Sequence, residues 1–223
     1  MLRKKIAVIG LGDFGRAVVS RLYEEGHEVT AIDRDLDTIE EIKDECTHAV
    51  CLDSTDEKAL LSQNIDDMDV VILASAESFE TLVVTTDILK RHCRGQIIVR
   101  YRSEIQKRVL NLIGVKDHFN PEQAAAESMA EQLAHRSIRR STILSDEYRL
   151  VEAVAPREYV AQPLLRTNLK KEYNLSIVTI KRQDAGKEMI LGIPDGSTVV
   201  HDSDVLVLFG RLDDIERFLN EHG

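Results

Sequence analysis

The chain has 223 residues, which is long enough for one large domain or two smaller ones, each with its own core. Apolar residues make up 43% and charged residues 30%, as in globular proteins, and the formal net charge is -10. This net charge argues against a sequence-independent grip on DNA or RNA, which needs clustered Lys and Arg to neutralise phosphates, and no apolar run is long enough to span a membrane. We therefore expect no nucleic-acid partner and no direct membrane insertion. The three cysteines form no C-x-x-C pair, which favours reduced thiols in a cytoplasm.

Strand-like and helix-like segments alternate through the first half of the chain. The predicted strands cover 5–10, 28–33, 48–53, 68–75, 96–102 and 115–120, and the predicted helices cover 15–26, 36–45, 55–64, 78–92 and 103–114. Repeated strand–helix units predict an open parallel sheet with helices on both faces, which is a Rossmann-like, doubly wound α/β fold. We assign residues 1–120 to this domain.

The pattern changes after residue 120. Residues 121–140 begin with a proline and are rich in Ala, Glu, Gln and Arg, so they predict a helix that connects two domains and serves in a dimer. Strands are then predicted at 148–156 and 175–182, helices at 162–174 and 212–223, and two or three short strands within 188–210. The expected organisation is a first domain at 1–120, a connecting and dimer helix at 121–141, and a small α+β domain at 142–223.

The segment GLGDFG lies between the first predicted strand and the first predicted helix. Its glycines, Gly10, Gly12 and Gly15, fit the G-x-G-x-x-G pattern, in which they permit a tight turn, the approach of a phosphate, and close packing of helix on sheet. Asp33 ends the second predicted strand, where a carboxylate accepts hydrogen bonds from the two hydroxyls of a ribose and repels a 2′-phosphate. The combination predicts a site for a nucleotide with an unmodified adenosine ribose.

Other polar residues follow the strands at the same edge of the predicted sheet. Arg16 opposes the dipole of its helix, so we predict a phosphate contact there, with a solvated surface arginine as the alternative. Asp53, Ser54 and Thr55 follow the third strand and are predicted to line the adenine, although Ser54 or Thr55 could instead cap the next helix. Ala74 and Ser75 end the fourth strand. Arg100 and Arg102 end the fifth strand on one face, which suggests a polyphosphate or a phosphate from a neighbouring subunit, with pairing to acidic helices as the alternative.

The sequence offers no catalytic constellation beside this site. It has no Ser-x-x-x-Tyr-x-x-x-Lys pattern, no evident nucleophile–base pair and no P-loop motif. We therefore predict that the chain is not an enzyme and that the nucleotide acts as a signal. The alternative is an NAD(H)-binding redox sensor or an NAD-dependent oxidoreductase.

Four segments carry a family resemblance: IAVIGLGDFGRAVVSRLYEEGHEVTAIDRD, THAVCLDSTDEKALL, DVVILASAESFETLVVTTDILK and HFNPE. In order and spacing they resemble the RCK (KTN) domain of cytoplasmic regulatory subunits of Trk/Ktr-type potassium uptake systems, the TrkA/KtrA family. The segments EYVAQPLLRTNLKKEYNLSIVTIKRQ and IPDGSTVVHDSDVLVLFG are similar to the RCK C-terminal (TrkA-C) subdomain, which is a small α+β unit. The resemblance covers nearly the whole chain.

The resemblance implies a gating-ring protein. Such subunits form homodimers that assemble into an octameric ring at the inner face of the cell membrane, under a membrane potassium-translocating subunit. It implies ATP or ADP, and in some members NAD(H), in the N-terminal domain, where ligand binding changes the shape of the ring. In some members the C-terminal subdomain binds cyclic di-AMP, for which Asn174, Ile177 and Arg182 are the candidates here.

The resemblance also assigns roles to residues of this sequence. Arg100 is expected to face a phosphate, and Glu122 to hold a divalent cation, Mg or Ca, at the γ-phosphate across the dimer. Asp13 departs from the family pattern, in which many relatives have a basic or neutral residue at this position. A carboxylate inside the glycine loop weakens phosphate binding unless it points outward or holds a cation. Arg34 softens the discrimination against a 2′-phosphate. The full set of candidate nucleotide-binding residues is Gly10, Gly12, Asp13, Phe14, Gly15, Arg16, Asp33, Arg34, Asp53, Ser54, Thr55, Ala74, Ser75, Arg100 and Arg102.

Overall fold

Two units make up the chain in the computed structural model, Met1–Glu122 and Gln123–Gly223. The structure describes residues 3–74, 78–134, 138–145, 147–184 and 186–222. Among these residues, no helix combines the length and the apolar character that crossing a membrane would require. The assignment of 121–141 to a separate connecting and dimer helix stays a prediction.

The first unit is built on a six-stranded parallel sheet. Its strands are β1 (Lys5–Ile9), β2 (Glu28–Asp33), β3 (His48–Cys51), β4 (Val70–Leu73), β5 (Gln96–Arg100) and β6 (Asp117–Phe119). Its helices are α1 (Asp13–Glu24), α2 (Leu36–Ile42), α3 (Glu57–Leu61), α4 (Phe79–His92) and α5 (Glu104–Ile113). The strand order is β3-β2-β1-β4-β5-β6, so the predicted doubly wound fold is confirmed.

Both faces of this sheet are packed, because successive side chains of a strand point to opposite sides. Ala7 and Ile9 of β1 belong to the core that includes residues of α3, α4 and α5. Ile6 and Val8 of the same strand belong to the core that includes residues of α1 and α2. A central strand buried on both faces needs an unbroken apolar sequence, which explains why β1 lacks the alternation of a half-exposed strand.

The strand order fixes where a ligand can bind. Connections from β1 run toward β2 on one side, whereas β4 lies on the other side of β1, so the winding direction reverses between β1 and β4. At such a reversal the loops after the two strands diverge and leave a crevice at the carboxyl ends of the strands. The glycine loop, which follows β1, lies at this crevice.

The second unit contains a five-stranded antiparallel sheet. Its strands are β7 (Ile138–Ile143), β8 (Tyr148–Val154), β9 (Ser176–Asp184), β10 (Lys187–Ile190) and β11 (Val205–Arg211), in the order β10-β9-β11-β8-β7. The remaining helices are α6 (Pro121–Ala134), α7 (Leu169–Glu172) and α8 (Leu212–His222). Ile215, Phe218 and Leu219 of α8 pack in one core with Leu206 and Leu208 of β11. The predicted small α+β architecture is confirmed.

Two predicted helices are shorter than the sequence suggested. The helix predicted at 121–140 ends at Ala134, and Ile138–Ile143 forms the edge strand β7 beside β8. The helix predicted at 162–174 contains only a 3-10 turn at Leu164–Arg166 and the four-residue α7, because Asn168 between them has a left-handed backbone with φ 51°. In both segments, tertiary pairing and a local turn override the helix propensity of the residues.

Candidate nucleotide-binding site

The carboxyl edge of the parallel sheet carries a pocket of about 80 Å³. Residues from the ends of three neighbouring strands and from α4 line it. They are Ile9, Gly10, Ile32, Asp33, Arg34, Leu52, Asp53, Ser54, Thr55 and Thr81. The structure thus brings the predicted ribose residue and the predicted adenine residues to one place. Thr81 was not predicted, because its position on the pocket depends on how α4 packs.

The three glycines of the loop meet different constraints. Gly10 has a φ of 88°, which favours glycine, and its N–H donates a hydrogen bond to Ile32 O at 2.8 Å. A Cβ added at Gly15 would overlap the carbonyl oxygen of Gly10, so α1 can lie this close to β1 only without a side chain there. A Cβ added at Gly12 would meet no described atom within 4 Å. The fold itself therefore needs Gly10 and Gly15, whereas Gly12 leaves space at the surface.

The open space at Gly12 lies at the start of a helix. Gly12 is the N-cap of α1 and offers no side chain to the N–H groups of the first turn. Such N–H groups together with the helix dipole favour an anion, and α1 has 12 residues over which the peptide dipoles align. An uncapped helix start beside an unobstructed glycine can therefore receive a phosphate.

Asp33 is held in place by two backbone groups. Its Oδ2 accepts a hydrogen bond from Leu11 N–H at 2.6 Å, and its Oδ1 accepts one from Asp35 N–H at 2.9 Å. The first of these bonds ties the end of β2 to the glycine loop, a contact that the sequence did not reveal. Because each carboxylate oxygen can accept a second hydrogen bond, Asp33 is oriented and still able to bind the two hydroxyls of a ribose.

The turn after β3 is also ordered by its own side chains. Asp53 Oδ1 accepts hydrogen bonds from Thr55 N–H at 2.9 Å and from Thr55 Oγ1 at 2.7 Å. These bonds, with a smaller contribution from the charge of Arg34, hold the pKa of Asp53 below its usual range. Neither Ser54 nor Thr55 caps α3: the N-cap is Asp56, whose side chain accepts from Lys58 N–H and Ala59 N–H. The predicted capping role is therefore wrong, and both hydroxyl residues remain at the pocket.

Arg16 contacts two carboxylates. Its Nη1 lies 2.6 Å from Glu41 Oε2 of α2, and its Nη2 lies 3.5 Å from Asp13 Oδ1. The Arg16 side chain is 38% exposed, and that of Asp13 is fully exposed. Asp13 therefore points outward, which is the arrangement that avoids repulsion of a phosphate. The partner Glu41 was missed, because nothing in the sequence links α1 to α2 at this position.

Arg100 is buried at the end of β5. Its Nη1 donates to Ala74 O at 3.1 Å, its Nη2 forms an ion pair with Glu122, and its Cζ lies 5.6 Å from the centre of the Phe14 ring. Its Nε has no hydrogen-bond partner among the described residues. Phe14 in turn packs on Phe119, with ring centroids 5.2 Å apart. Pairing with an acidic helix, the alternative raised by the sequence, is what this structure contains.

Arg102 does not share a strand face with Arg100, because β5 ends at Arg100. Arg102 is exposed, and its backbone N–H donates to Gln106 Oε1 at 2.6 Å. The expectation of two cations on one strand face is therefore wrong. Ala74 is buried and acts through its carbonyl oxygen, whereas Ser75 lies outside the described residues.

Glu122, the predicted cation ligand, lies in the first turn of α6 and is exposed. Its own backbone N–H, followed by Arg100 and Arg102, holds the pKa of Glu122 below its usual range. Within the described parts of the chain, no three His, Cys, Asp or Glu side chains cluster as a metal site requires. The single carboxylate fits an oxygen-binding cation only with ligands from elsewhere, so this role stays a prediction.

The three candidates for a ligand in the second unit have different surroundings. Arg182 binds the buried Asp204 through two bonds, with Nε to Oδ1 at 2.8 Å and Nη2 to Oδ2 at 2.7 Å. Asn174 is exposed and has a left-handed backbone with φ 55°. Ile177 lines a cavity of about 460 Å³ together with Leu164, Asn168 and Pro194. Of the three, Ile177 is the one that lines this cavity.

The family model of the TrkA-N domain matches residues 6–121. Ktr system potassium uptake protein C of Bacillus subtilis (strain 168) is 36% identical over 217 residues, which are 97% of this chain and 96% of that protein. Ktr system potassium uptake protein A of the same organism is 32% identical over 218 residues, which are 98% of this chain and 96% of that protein.

Solved structures share the fold. The GsuK RCK domain aligns with all of this chain at a TM-score of 0.67 and 16% identity, and the GsuK channel bound to NAD aligns with 96% of it at a TM-score of 0.64. This chain spans 48% and 38% of those two chains, respectively. The predicted family is confirmed: the chain belongs to the TrkA-N domain family and, within it, to the Ktr potassium uptake proteins.

Proposed function

We propose that this chain is a regulatory subunit of a potassium uptake system and that ATP or ADP binds at the carboxyl edge of its parallel sheet. The observation that carries the proposal is the uncapped start of α1 at Gly12, beside Asp33 with its oxygens oriented by Leu11 and Asp35. The group that would bind a phosphate, the start of α1, is next to the group that would bind a ribose, Asp33, as phosphate and ribose are adjacent in a nucleotide. The names of the two Bacillus relatives support the link to potassium uptake.

Each part of the nucleotide has a place in the proposal. The phosphates bind at Gly10, Gly12 and Gly15, the ribose binds Asp33, and the adenine lies against the turn of Asp53, Ser54 and Thr55. Arg16 turns from Glu41 to a phosphate, which replaces one exposed ion pair with another and therefore costs little. ATP differs from ADP by the γ-phosphate, so Arg16 is placed to distinguish the two.

Arg100 has a less direct role in this proposal. Its guanidinium packs against the Phe14 ring and is bonded to Ala74 O and Glu122. We propose that Arg100 thereby stabilises the conformation of the glycine loop. A phosphate or divalent cation at the dimer would compete for Arg100 or Glu122. Mg or Ca at Glu122, cyclic di-AMP near Ile177, and nucleotide contacts from Phe14, Arg34, Ser75 and Arg102 belong to the same proposal.

The nucleotide acts by population shift. It moves an assembly between two shapes only to the extent that it binds one of them better, and a coupling of about 1–3 kcal/mol is ordinary for such systems. The assembly we propose is a homodimer that forms an octameric ring on the cytoplasmic side of a membrane potassium-translocating subunit. The helix α6 suits the dimer contact, because Met129 and Leu133 are 64% and 78% exposed and Ala124, Ala125 and Ala126 permit close helix approach.

NAD(H) is the second candidate ligand. The G-x-G-x-x-G loop and Asp33 recognise the adenosine half that NAD and ATP share, and the GsuK channel has been solved with NAD. A redox sensor would use the same pocket. NAD and ATP share the adenosine and its first two phosphates. The group attached to the second phosphate differs: it is a nicotinamide riboside in NAD and the γ-phosphate in ATP.

The test is a calorimetric titration of the purified protein with ATP, ADP, NAD and NADH, each with and without magnesium. Binding of ATP that is tighter than that of NAD and sensitive to magnesium is the expected result. A preference for NADH over ATP would replace the ATP proposal with the redox sensor. Absence of binding by all four nucleotides would overturn the proposed site.

A further inference from the structure

Asp53, Ser54 and Thr55 form the wall of the pocket on the adenine side. We call the segment from these residues to Glu57, residues 53–57, the adenine turn. It leads directly into α3, which has only five residues. A helix this short has almost no stability of its own, because the cost of nucleation is not repaid within one turn. The position of the adenine turn is therefore set by its own hydrogen bonds between Asp53 and Thr55 and by contacts with the rest of the unit, two of which join it to α4.

One contact lies at the end of the adenine turn. Glu57 Oε1 lies 2.8 Å from Arg91 Nη1 and 2.6 Å from His92 Nε2, both at the last turn of α4. Arg91 Nε also donates to Asp87 Oδ2 at 2.9 Å, which fixes the guanidinium on α4. His92 and Arg91 hold the pKa of Glu57 below its usual range, as expected for a carboxylate that keeps its charge in this contact.

The other contact lies at the start of the adenine turn. Ser54 Oγ and Thr85 Oγ1 are 2.9 Å apart, and Thr85 is fully buried on α4. Thr81, which lines the pocket, precedes Thr85 by four residues, and His92 follows Thr85 by seven residues. At 3.6 residues per turn these three side chains share one stripe of α4. The same stripe thus supplies a pocket residue, Thr81, and one partner for each end of the adenine turn, Thr85 for Ser54 and His92 for Glu57.

We propose that Glu57 and Thr85 are positioning residues for the base: they hold the adenine turn at a fixed distance from Thr81 and so set the preference for adenine. Neither residue lines the pocket, and each acts through a partner, Glu57 through Arg91 and His92, and Thr85 through Ser54. The inference rests on the proposed nucleotide site and specifies how that site selects its base.

The chain offers matched controls for both residues. Glu40 is an exposed glutamate on α2 that pairs with Lys43 at 2.6 Å and lies away from the pocket lining. Thr86 is the neighbour of Thr85 and is equally buried, but its hydroxyl has no partner among the described residues. Glu40→Ala and Thr86→Val therefore repeat the chemical changes of Glu57→Ala and Thr85→Val without touching the adenine turn.

The experiment measures the affinity of each variant for ATP, GTP and inorganic tripolyphosphate by calorimetry. Glu57→Ala or Thr85→Val should each weaken ATP binding about three- to tenfold, as loss of one net hydrogen bond does, and should lower the ratio of ATP to GTP affinity. Tripolyphosphate binding should stay unchanged, since the glycine loop is intact. Glu57→Gln keeps the shape of the side chain and part of its hydrogen bonding. Its ratio of ATP to GTP affinity should therefore lie between those of Glu57→Ala and the unmodified protein. The controls should behave as the unmodified protein.

Three outcomes are distinguished, and they separate the inference from the function on which it rests. If the unmodified protein binds ATP but Glu57→Ala and Thr85→Val leave the ATP to GTP ratio unchanged, the positioning role is wrong and the site stands. If both variants lose ATP and tripolyphosphate binding equally, their effect is structural and the inference is also wrong. If the unmodified protein binds no nucleotide, the proposed function fails first.

Discussion

The carboxylates at the sheet edge of the first unit and Asp204 of the second unit serve opposite purposes. At the edge of the parallel sheet, Asp33 and Asp53 are half-buried or exposed, and each is oriented by hydrogen bonds from neutral backbone or hydroxyl groups. In the second unit, Asp204 is completely buried and forms a two-bond ion pair with Arg182. The first arrangement leaves acceptors for a ligand, whereas the second uses its charges for the stability of the unit itself.

This contrast indicates which of two arginines, Arg16 or Arg182, can bind an anionic ligand without disrupting the structure around it. Asp204 also accepts a hydrogen bond from His201 N–H at 2.8 Å, and Arg182 Nη2 donates to Val199 O at 3.0 Å, so this pair fixes the loop before β11. An anion could reach Arg182 only by breaking a buried pair. Arg16, by contrast, can exchange its exposed partner Glu41 for a phosphate at little cost.

The largest effect should come from breaking the buried pair. Asp204→Asn removes a completely buried carboxylate and leaves the charge of Arg182, whose side chain is only 18% exposed, without its partner. We expect the second unit to lose about 3 kcal/mol of unfolding free energy. Urea unfolding followed by hydrogen exchange of β9 and β11 measures this loss. Glu152→Gln is the control: Glu152 pairs with Lys181 at 3.0 Å, and both side chains are 18% exposed, whereas Asp204 is completely buried. Because water reaches both members of the control pair, this substitution should cost less.

The same pair predicts the direction of the pH dependence. Burial raises the pKa of Asp204, but Arg182 and the N–H of His201 lower it more, so the net shift is downward. A carboxyl whose pKa is depressed on folding stabilises the folded state above its unfolded pKa, and this contribution is lost as the pH falls through its folded pKa. Unfolding of the second unit should therefore become easier in acid below about pH 4. If the unfolding free energy of the unmodified protein falls no more steeply with acid than that of Asp204→Asn, this assignment is contradicted.

The next largest effect should come from the glycine that the fold requires. Gly15→Ala places a methyl group against the carbonyl of Gly10, and the overlap can be relieved only by moving α1 or the loop. We expect a loss of up to about 3 kcal/mol in stability of the first unit, together with loss of nucleotide binding. Thermal unfolding and calorimetry measure the two effects. Unchanged stability would mean that the loop has another conformation.

Gly12→Ala should separate binding from stability. Its φ of -64° is ordinary for alanine and its surroundings are open, so we expect the stability to change by no more than about 0.5 kcal/mol. The new methyl group occupies the space that a phosphate needs at the start of α1, and binding should weaken by about 2 kcal/mol. The same two measurements apply. Unaltered ATP affinity would show that the phosphates bind elsewhere.

The smallest predicted effect concerns Arg16. Arg16→Ala removes an exposed ion pair with Glu41, which contributes little stability, so the unfolding free energy should change by no more than about 0.5 kcal/mol. If the guanidinium binds a phosphate, ATP affinity should fall about tenfold and ADP affinity less. Calorimetry with both nucleotides measures the difference. Glu41→Gln, which frees Arg16, should leave ATP affinity equal or higher.

The parts of the molecule that the sequence predicted are those set by local pattern. The alternation of apolar strands and helices predicted the parallel sheet, and the motif predicted that Gly10 and Asp33 lie together at its edge. Both depend on short segments and on the rule that parallel strands end at one edge. The hydrogen bond from Leu11 N–H to Asp33 could not be predicted, because it depends on the exact turn of the loop.

Contacts between distant segments were not predictable in the same way. Arg100 was expected to face a phosphate, but Phe14 and Glu122, far away in sequence, enclose it. The start of β7 falls within a predicted helix, because its Arg-rich residues suit a helix and only pairing with β8 makes them a strand. Thr85 and Arg91 contact Ser54 and Glu57 of the adenine turn. Nothing in the sequence marks these two helix residues, because the contacts depend on how α4 packs.

The central claim is that the nucleotide binds the first unit at the carboxyl edge of its sheet. Hydrogen–deuterium exchange of the full chain with and without ATP tests it most directly, because it locates the bound ligand on the backbone. We predict that ATP slows exchange in the glycine loop and first turn of α1 (10–16), at the end of β2 (33–35) and in the adenine turn (53–57), more than in any segment of the second unit. Protection confined to the second unit, or absent from 10–16, would contradict the claim.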